Sequence, residues 1–176
     1  MVLTKKNILI TGQPGIGKTT LIKSLAEKLR AFSPAGFYTA EIKEKGMRKG
    51  FELVSLSGEK GLLSHVDIKS PYTVSKYGVD IKGFEEFLNS ISFFDTVTDI
   101  VIVDEIGKME CFSEKFRTLI KKILDSEKIF ISTVALKGGS LIAEVKKRED
   151  IKLFEISMGN RNSLSYEILK EIEREL

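Results

Sequence analysis

The run Gly12-Gln13-Pro14-Gly15-Ile16-Gly17-Lys18-Thr19 fits the phosphate-binding P-loop pattern G-x-x-x-x-G-K-[ST] at every fixed position. Each position has a physical task. The glycines let the backbone turn its N–H groups inward, where they cradle phosphate oxygens. Lys18 puts a point charge on the β- and γ-phosphates, and the Thr19 hydroxyl is a ligand for Mg²⁺. Thr20 continues into a helix whose N-terminal dipole faces the same anion. A second constellation lies about 80 residues on. Ile100-Val101-Ile102-Val103-Asp104-Glu105 reads as a Walker B strand: four apolar residues bury it, and two acids emerge at its carboxyl end, where open α/β sheets bind ligands. Asp104 is the candidate for the metal shell. Glu105 is the candidate that orients and deprotonates an attacking water.

These side chains need a scaffold, and the flanking sequence predicts one. Residues 7–11 form a short apolar run ending at glycine, as a buried strand does. Residues 18–30 carry Leu21, Ile22, Leu25, Ala26 and Leu29 at helical spacing. Strands are expected at 36–42, 51–56 and 62–66, with a turn at Gly46–Gly50. Their short connections make them antiparallel neighbours, because a parallel return needs a crossover. Residues 70–81 give no period. Helices are expected near 82–92, from a Ser113 cap to about Asp125, near 140–148 and near 163–176. The runs 100–103, 129–134 and 152–156 read as strands. This β-α alternation predicts one α/β domain over residues 1–176, a doubly wound sheet, mostly parallel, with antiparallel strands added.

Composition narrows the function classes. The chain has 176 residues and a net charge of +3, spread in short clusters such as Lys5-Lys6, Lys121-Lys122 and Lys146-Lys147-Arg148. Scattered charge of this kind makes a nucleic-acid partner unexpected. One cysteine and one histidine argue against a disulfide and against a zinc site. No apolar run reaches membrane-spanning length and no signal-peptide core is present, so a cytoplasmic setting is expected, and a monomer is the default expectation. Lys and Glu abound while Gln occurs once and Trp never, a bias that points to a heat-adapted source.

The run Asp104-Glu105-Ile106-Gly107-Lys108-Met109-Glu110 resembles the signature of the small thermophile-type nucleoside-triphosphatases, which include the cancer-related nucleoside-triphosphatases of animals. Further stretches match in order: the P-loop, Gly36-Phe37-Tyr38-Thr39 with Glu41, Arg48 with Gly50-Phe51, Tyr77-Gly78-Val79-Asp80, and Asn160-Arg161. The resemblance spans nearly the whole chain. It implies a RecA-related P-loop fold and Mg²⁺-dependent hydrolysis of nucleoside triphosphates, with little base preference. Asn162 departs from the acid usual after Asn-Arg, and Cys111 from a larger apolar residue. Cys111 is expected to act as a small hydrophobe.

Other residues invite weaker readings. Arg161 is the candidate arginine finger, with a base contact as its other role. Lys108 is placed to touch the γ-phosphate or an acid. Arg48 is expected in a hairpin turn as a solvated side chain, which the resemblance turns toward a substrate-side role. Glu110 is read as structural and His65 as a surface or partly buried residue. The rival functions are a nucleotide or small-molecule kinase, a GTP-dependent switch and an RNA-associated NTPase. Six dispersed arginines show no kinase lid, and the Asn-Lys-x-Asp element of guanine-specific switches is absent. No basic and aromatic residues interleave as an RNA platform.

Overall fold

The computed structural model describes residues 6–176, so Lys5 of the first basic cluster lies outside the described residues. The strand β1 (Asn7–Thr11) is buried along its whole length. It feeds the loop that opens α1 (Lys18–Lys28), followed by a single 3₁₀ turn at Arg30–Phe32. Next come β2 (Ala35–Glu44), β3 (Met47–Ser55), β4 (Lys60–His65), β5 (Thr73–Val74) and β6 (Tyr77–Val79). The second half alternates: α2 (Ile81–Asn89), β7 (Ile100–Ile106), α3 (Glu114–Leu124), β8 (Ile129–Val134), α4 (Leu141–Lys146), β9 (Ile151–Glu155) and α5 (Leu164–Glu173). The Ser113 hydroxyl caps α3 by accepting from the Phe116 N–H, and the Asp80 carboxylate caps α2 through Gly83.

Among the described residues one nine-stranded sheet runs in the order β5-β6-β4-β3-β2-β7-β8-β1-β9. From β2 to β9 all neighbours are parallel, and from β2 to β5 all are antiparallel. The strand carrying the P-loop and the strand carrying the acids are therefore not neighbours; β8 lies between them.

The period-2 alternation of the parallel strands builds a core on each face. Leu9, Val101, Val103 and Phe130 pack with α2, α3 and α4 on one side. Ile8, Ile10, Ile100, Ile102 and Ile131 pack with α1 and α5 on the other. Burying one such aliphatic side chain contributes roughly 1.5–3 kcal/mol. The fully buried Phe84 and Phe116 rings meet at 5.4 Å and lock α2 to α3.

One expectation needs correction. The turn predicted at 46–50 is shorter: Lys45 and Gly46 make it alone, with φ of 49° and 77°. That left-handed pair matches the twist of a two-residue hairpin, so β3 already begins at Met47. Residues 70–81, which show no period in the sequence, hold β5 and β6, which pair there and extend the wing through β4. The basic clusters are tied locally. Lys146 donates to the carbonyls of Ala135 and Leu136, and Arg148 forks onto Asp150. Among the described residues no helix is long and apolar enough to cross a membrane.

Candidate active site

The P-loop runs from the end of β1 into α1. Gly15 (φ 77°) and Gly17 (φ 115°) hold left-handed conformations that a β-carbon disfavours, which explains glycine at both positions. Gly17 is also the N-cap of α1 and offers no side chain there, so the first-turn N–H groups remain free for an anion. Gly12 is buried against the next loop: a β-carbon there would lie 2.7 Å from the Ile156 carbonyl oxygen. Lys18 folds back over the loop, its Nζ donating to the Gly12 oxygen at 2.8 Å and the Gln13 oxygen at 3.2 Å. Thr20, Gln13, Pro14 and Gly15 are exposed, while Ile16 and Thr19 are half-buried.

The Walker B acids meet this loop. The Thr19 Oγ1 donates to Asp104 Oδ2 at 2.7 Å. Asp104 is 2% exposed, a costly place for a carboxylate unless its oxygens are satisfied. Two further hydroxyls satisfy them. Thr133 Oγ1, at the end of β8, donates to Oδ1 at 2.6 Å, and Thr39 Oγ1, on β2, donates to Oδ2 at 3.3 Å. The aspartate thus stitches together β7, β8, β2 and α1. Pairing of β7 with β8 is irregular between Val103 and Ile106, where the strand presents its two consecutive acids.

Glu105 is half-buried. Burial raises its carboxyl above the ordinary range, the Asp104 charge raises it further, and Lys18 works against both. Glu110 is 5% exposed. Burial first, and the charge of Glu105 second, hold it well above the usual carboxylate range. The two carboxylates flank Gly107. A β-carbon on that glycine would lie 2.7 Å from Glu105 Oε1 and 2.8 Å from Glu110 Oε2. Cys111 is half-buried, and burial with the Glu110 charge pushes its thiol up to about 12, consistent with an inert hydrophobe.

The remaining candidates sit at different distances from this cluster. Because β9 is parallel to β1, the loop after it emerges at the same edge as the P-loop. Asn160 braces that loop, accepting from the Ser157 N–H and donating to the Glu155 oxygen. Arg161 is exposed within it. Lys108 is exposed beside Gly107. Arg48 is not in a turn and not freely solvated. It lies on β3, where its Nε donates to Tyr77 Oη and its Nη1 to Glu41 Oε1, both at 3.0 Å. His65 is partly buried beside Glu44 and Asp67. Thr39, Thr133 and Glu110 complete the cluster. A lone threonine in a strand reads as β-propensity, so only the strand order reveals the two hydroxyls.

Known proteins resemble the chain in sequence and in fold. The family model described as NTPase matches residues 7–169. The nucleoside-triphosphatase THEP1 of Thermotoga maritima is 46% identical over 167 residues, covering 94% of this chain and 95% of that protein. The human cancer-related nucleoside-triphosphatase is 34% identical over 180 residues, covering 93% and 95%. Among solved structures, THEP1 from the hyperthermophile Aquifex aeolicus superposes with a TM-score of 0.84 at 33% identity, covering 96% of this chain and 99% of that one. The human protein's solution structure gives 0.80 at 34% identity, covering 96% and 97%. With its P-loop and acid pair at the carboxyl edge of a parallel sheet, the chain belongs to this family of P-loop nucleoside-triphosphatases.

Proposed function

We propose that the chain hydrolyses nucleoside triphosphates to nucleoside diphosphate and phosphate with Mg²⁺, accepting many bases. The observation that carries this reading is the Thr19–Asp104 contact at 2.7 Å beside the half-buried Glu105. The donors fit Mg²⁺: a hydroxyl and a carboxylate are hard oxygen ligands, and this ion takes few protein ligands alongside phosphates and water. Thr19 and Asp104 would hold it, and when bound it neutralises charge on the β- and γ-oxygens. Thr39 and Thr133 keep the Asp104 carboxylate oriented.

Lys18 exchanges the Gly12 and Gln13 carbonyls for phosphate oxygens when a triphosphate enters. Glu105 takes the proton of the attacking water. Its raised pKa makes it a stronger base than an exposed glutamate. Arg161 acts as a finger on the γ-phosphoryl oxygens, and Lys108 adds a nearby positive charge. Base tolerance follows from a grip on phosphates, which all nucleoside triphosphates share. Dispersed charge and a single free cysteine support a cytoplasmic monomer that works without nucleic acid.

The test is phosphate release from the common ribo- and deoxyribonucleotides, with and without Mg²⁺ and with candidate acceptors. Glu105→Gln should keep triphosphate binding and lose turnover, because the amide cannot take the proton. A near-normal kcat in that variant sinks the assignment.

A further inference from the structure

A pocket of about 520 Å³ opens on the antiparallel wing, lined among others by Glu41, Lys43, Arg48, Phe51, Lys76 and Tyr77. It adjoins the acid cluster without belonging to it. Thr39, whose hydroxyl meets Asp104, and Glu41 are two residues apart on β2, so they share a face about 7 Å apart along the strand. Met109, on the loop that follows Glu105, supplies another wall.

Arg48 is held in place. Besides its bonds to Tyr77 and Glu41, its guanidinium lies 5.2 Å from the Phe51 ring centre and 5.8 Å from that of Tyr77. The two rings meet edge to face at 5.5 Å. A guanidinium has five N–H donors, and these bonds occupy two of them. The side chain stays 48% exposed, so the rest of the fork faces outward, already oriented. Lys43 and Lys76 add positive charge, and Glu41 alone opposes the three cations.

We infer that this pocket is a second ligand site, for a phosphomonoester with a planar apolar body, the class of mononucleotides. Charge selects the head group. Three cations against one carboxylate leave an excess of two positive charges, and a phosphomonoester carries about −1.5 to −2 near neutrality. A fixed arginine fork matches its oxygens in pairs. Volume selects the body. The cavity falls in the range of small-molecule sites, about 300–1,000 Å³, far larger than phosphate alone needs. Phe51, Val74 and Met109 offer that body apolar surface. The site depends on the proposed hydrolase reading only for the identity of its neighbour.

The test is calorimetric titration of AMP and GMP into protein already saturated with a non-hydrolysable triphosphate and Mg²⁺. The saturating titration reports the P-loop separately. If it gives no binding, the hydrolase reading fails, and the mononucleotides are titrated into the free protein instead. One mononucleotide per chain should bind, and adenosine at least tenfold more weakly. Arg48→Ala should weaken binding tenfold or more. Lys76→Ala, on the exposed β5–β6 turn, should weaken it severalfold and provides a second variant if Arg48→Ala does not fold. The inference is overturned if neither mononucleotide binds, if adenosine binds as well as AMP, or if the folded variants bind like the unaltered protein.

Discussion

Gly107→Ala tests the acid cluster with one added methyl. The glycine does not hold a left-handed conformation, so alanine is tolerated by the backbone and only space is at issue. Its β-carbon would stand 2.7 Å from Glu105 Oε1, 2.8 Å from Glu110 Oε2 and 3.0 Å from Glu105 Cγ, where ordinary contact begins at 3.4 Å. Relieving the closest approach moves the Glu105 carboxylate by about 0.7 Å, the difference between those two distances. A misplacement near 1 Å can cost about 10²-fold in rate, so kcat should fall about ten- to a hundredfold with little change in KM. Overpacking should also cost about 1–3 kcal/mol, lowering Tm by roughly 2–4 °C per kcal/mol for a chain of this size. The assay is steady-state phosphate release well below Tm, with Gly139→Ala as control, since a β-carbon there meets nothing within 4 Å. A kcat within twofold of the control would refute the reasoning, because the base would then tolerate displacement. A change in KM alone would move Glu105 from chemistry to binding.

Other perturbations probe separate contacts. Arg161→Ala should lower kcat by up to about 10³-fold, the lower end for a finger, with little loss of triphosphate affinity; a rise in KM at constant kcat makes it a ground-state contact. Thr133→Val removes the 2.6 Å hydrogen bond to the buried Asp104, and should cost about 1–3 kcal/mol and raise the Mg²⁺ concentration for half-maximal activity; an unchanged melt and Mg²⁺ titration would count against the stitch. Glu110→Gln tests linkage. The folded pKa of Glu110 lies above its unfolded value, so its favourable contribution is full below the unfolded pKa and is lost as pH rises through the folded one. The glutamine variant should therefore gain stability relative to the unaltered protein as pH rises, by up to about 1.4 kcal/mol per pH unit within that window. Denaturant melts across pH reveal this, and a pH-independent difference contradicts it.

Local signals carried what the sequence made legible. The P-loop and the strand that ends in Asp104 and Glu105 stand out as runs of consecutive residues, and the Ser113 cap begins α3 where its side chain predicts. Non-local pairing hid the rest. Met47, Arg48 and Lys49 look like turn residues, yet they lie on β3, six of whose nine positions stay partly or fully in solvent. The strands β5 and β6 span two and three residues, too few to show a period, and their place in the sheet depends on β4. The partners of Asp104 come from β2 and β8, an association that only the strand order creates. Glu110 reads as structural in the sequence, but the depth of its burial depends on how the chain after β7 folds back.

The position of β1 has a consequence for how the protein comes into being. The strand that launches the P-loop precedes the other described strands, yet among the described residues its neighbours in the sheet are β8 and β9. Both begin more than 120 residues later, at Ile129 and Ile151. During synthesis the nucleotide motif therefore leaves the ribosome early as an unpaired apolar segment, while β2, β3 and β4 can already zip into a meander. Loop-closure entropy must be met before these late pairings form, which slows folding and leaves the segment open to aggregation or to a chaperone. Capacity to hold a nucleotide then waits until β8 and β9 have been made. A chain stopped before Ile129 carries the complete motif and lacks both strands that pair with β1.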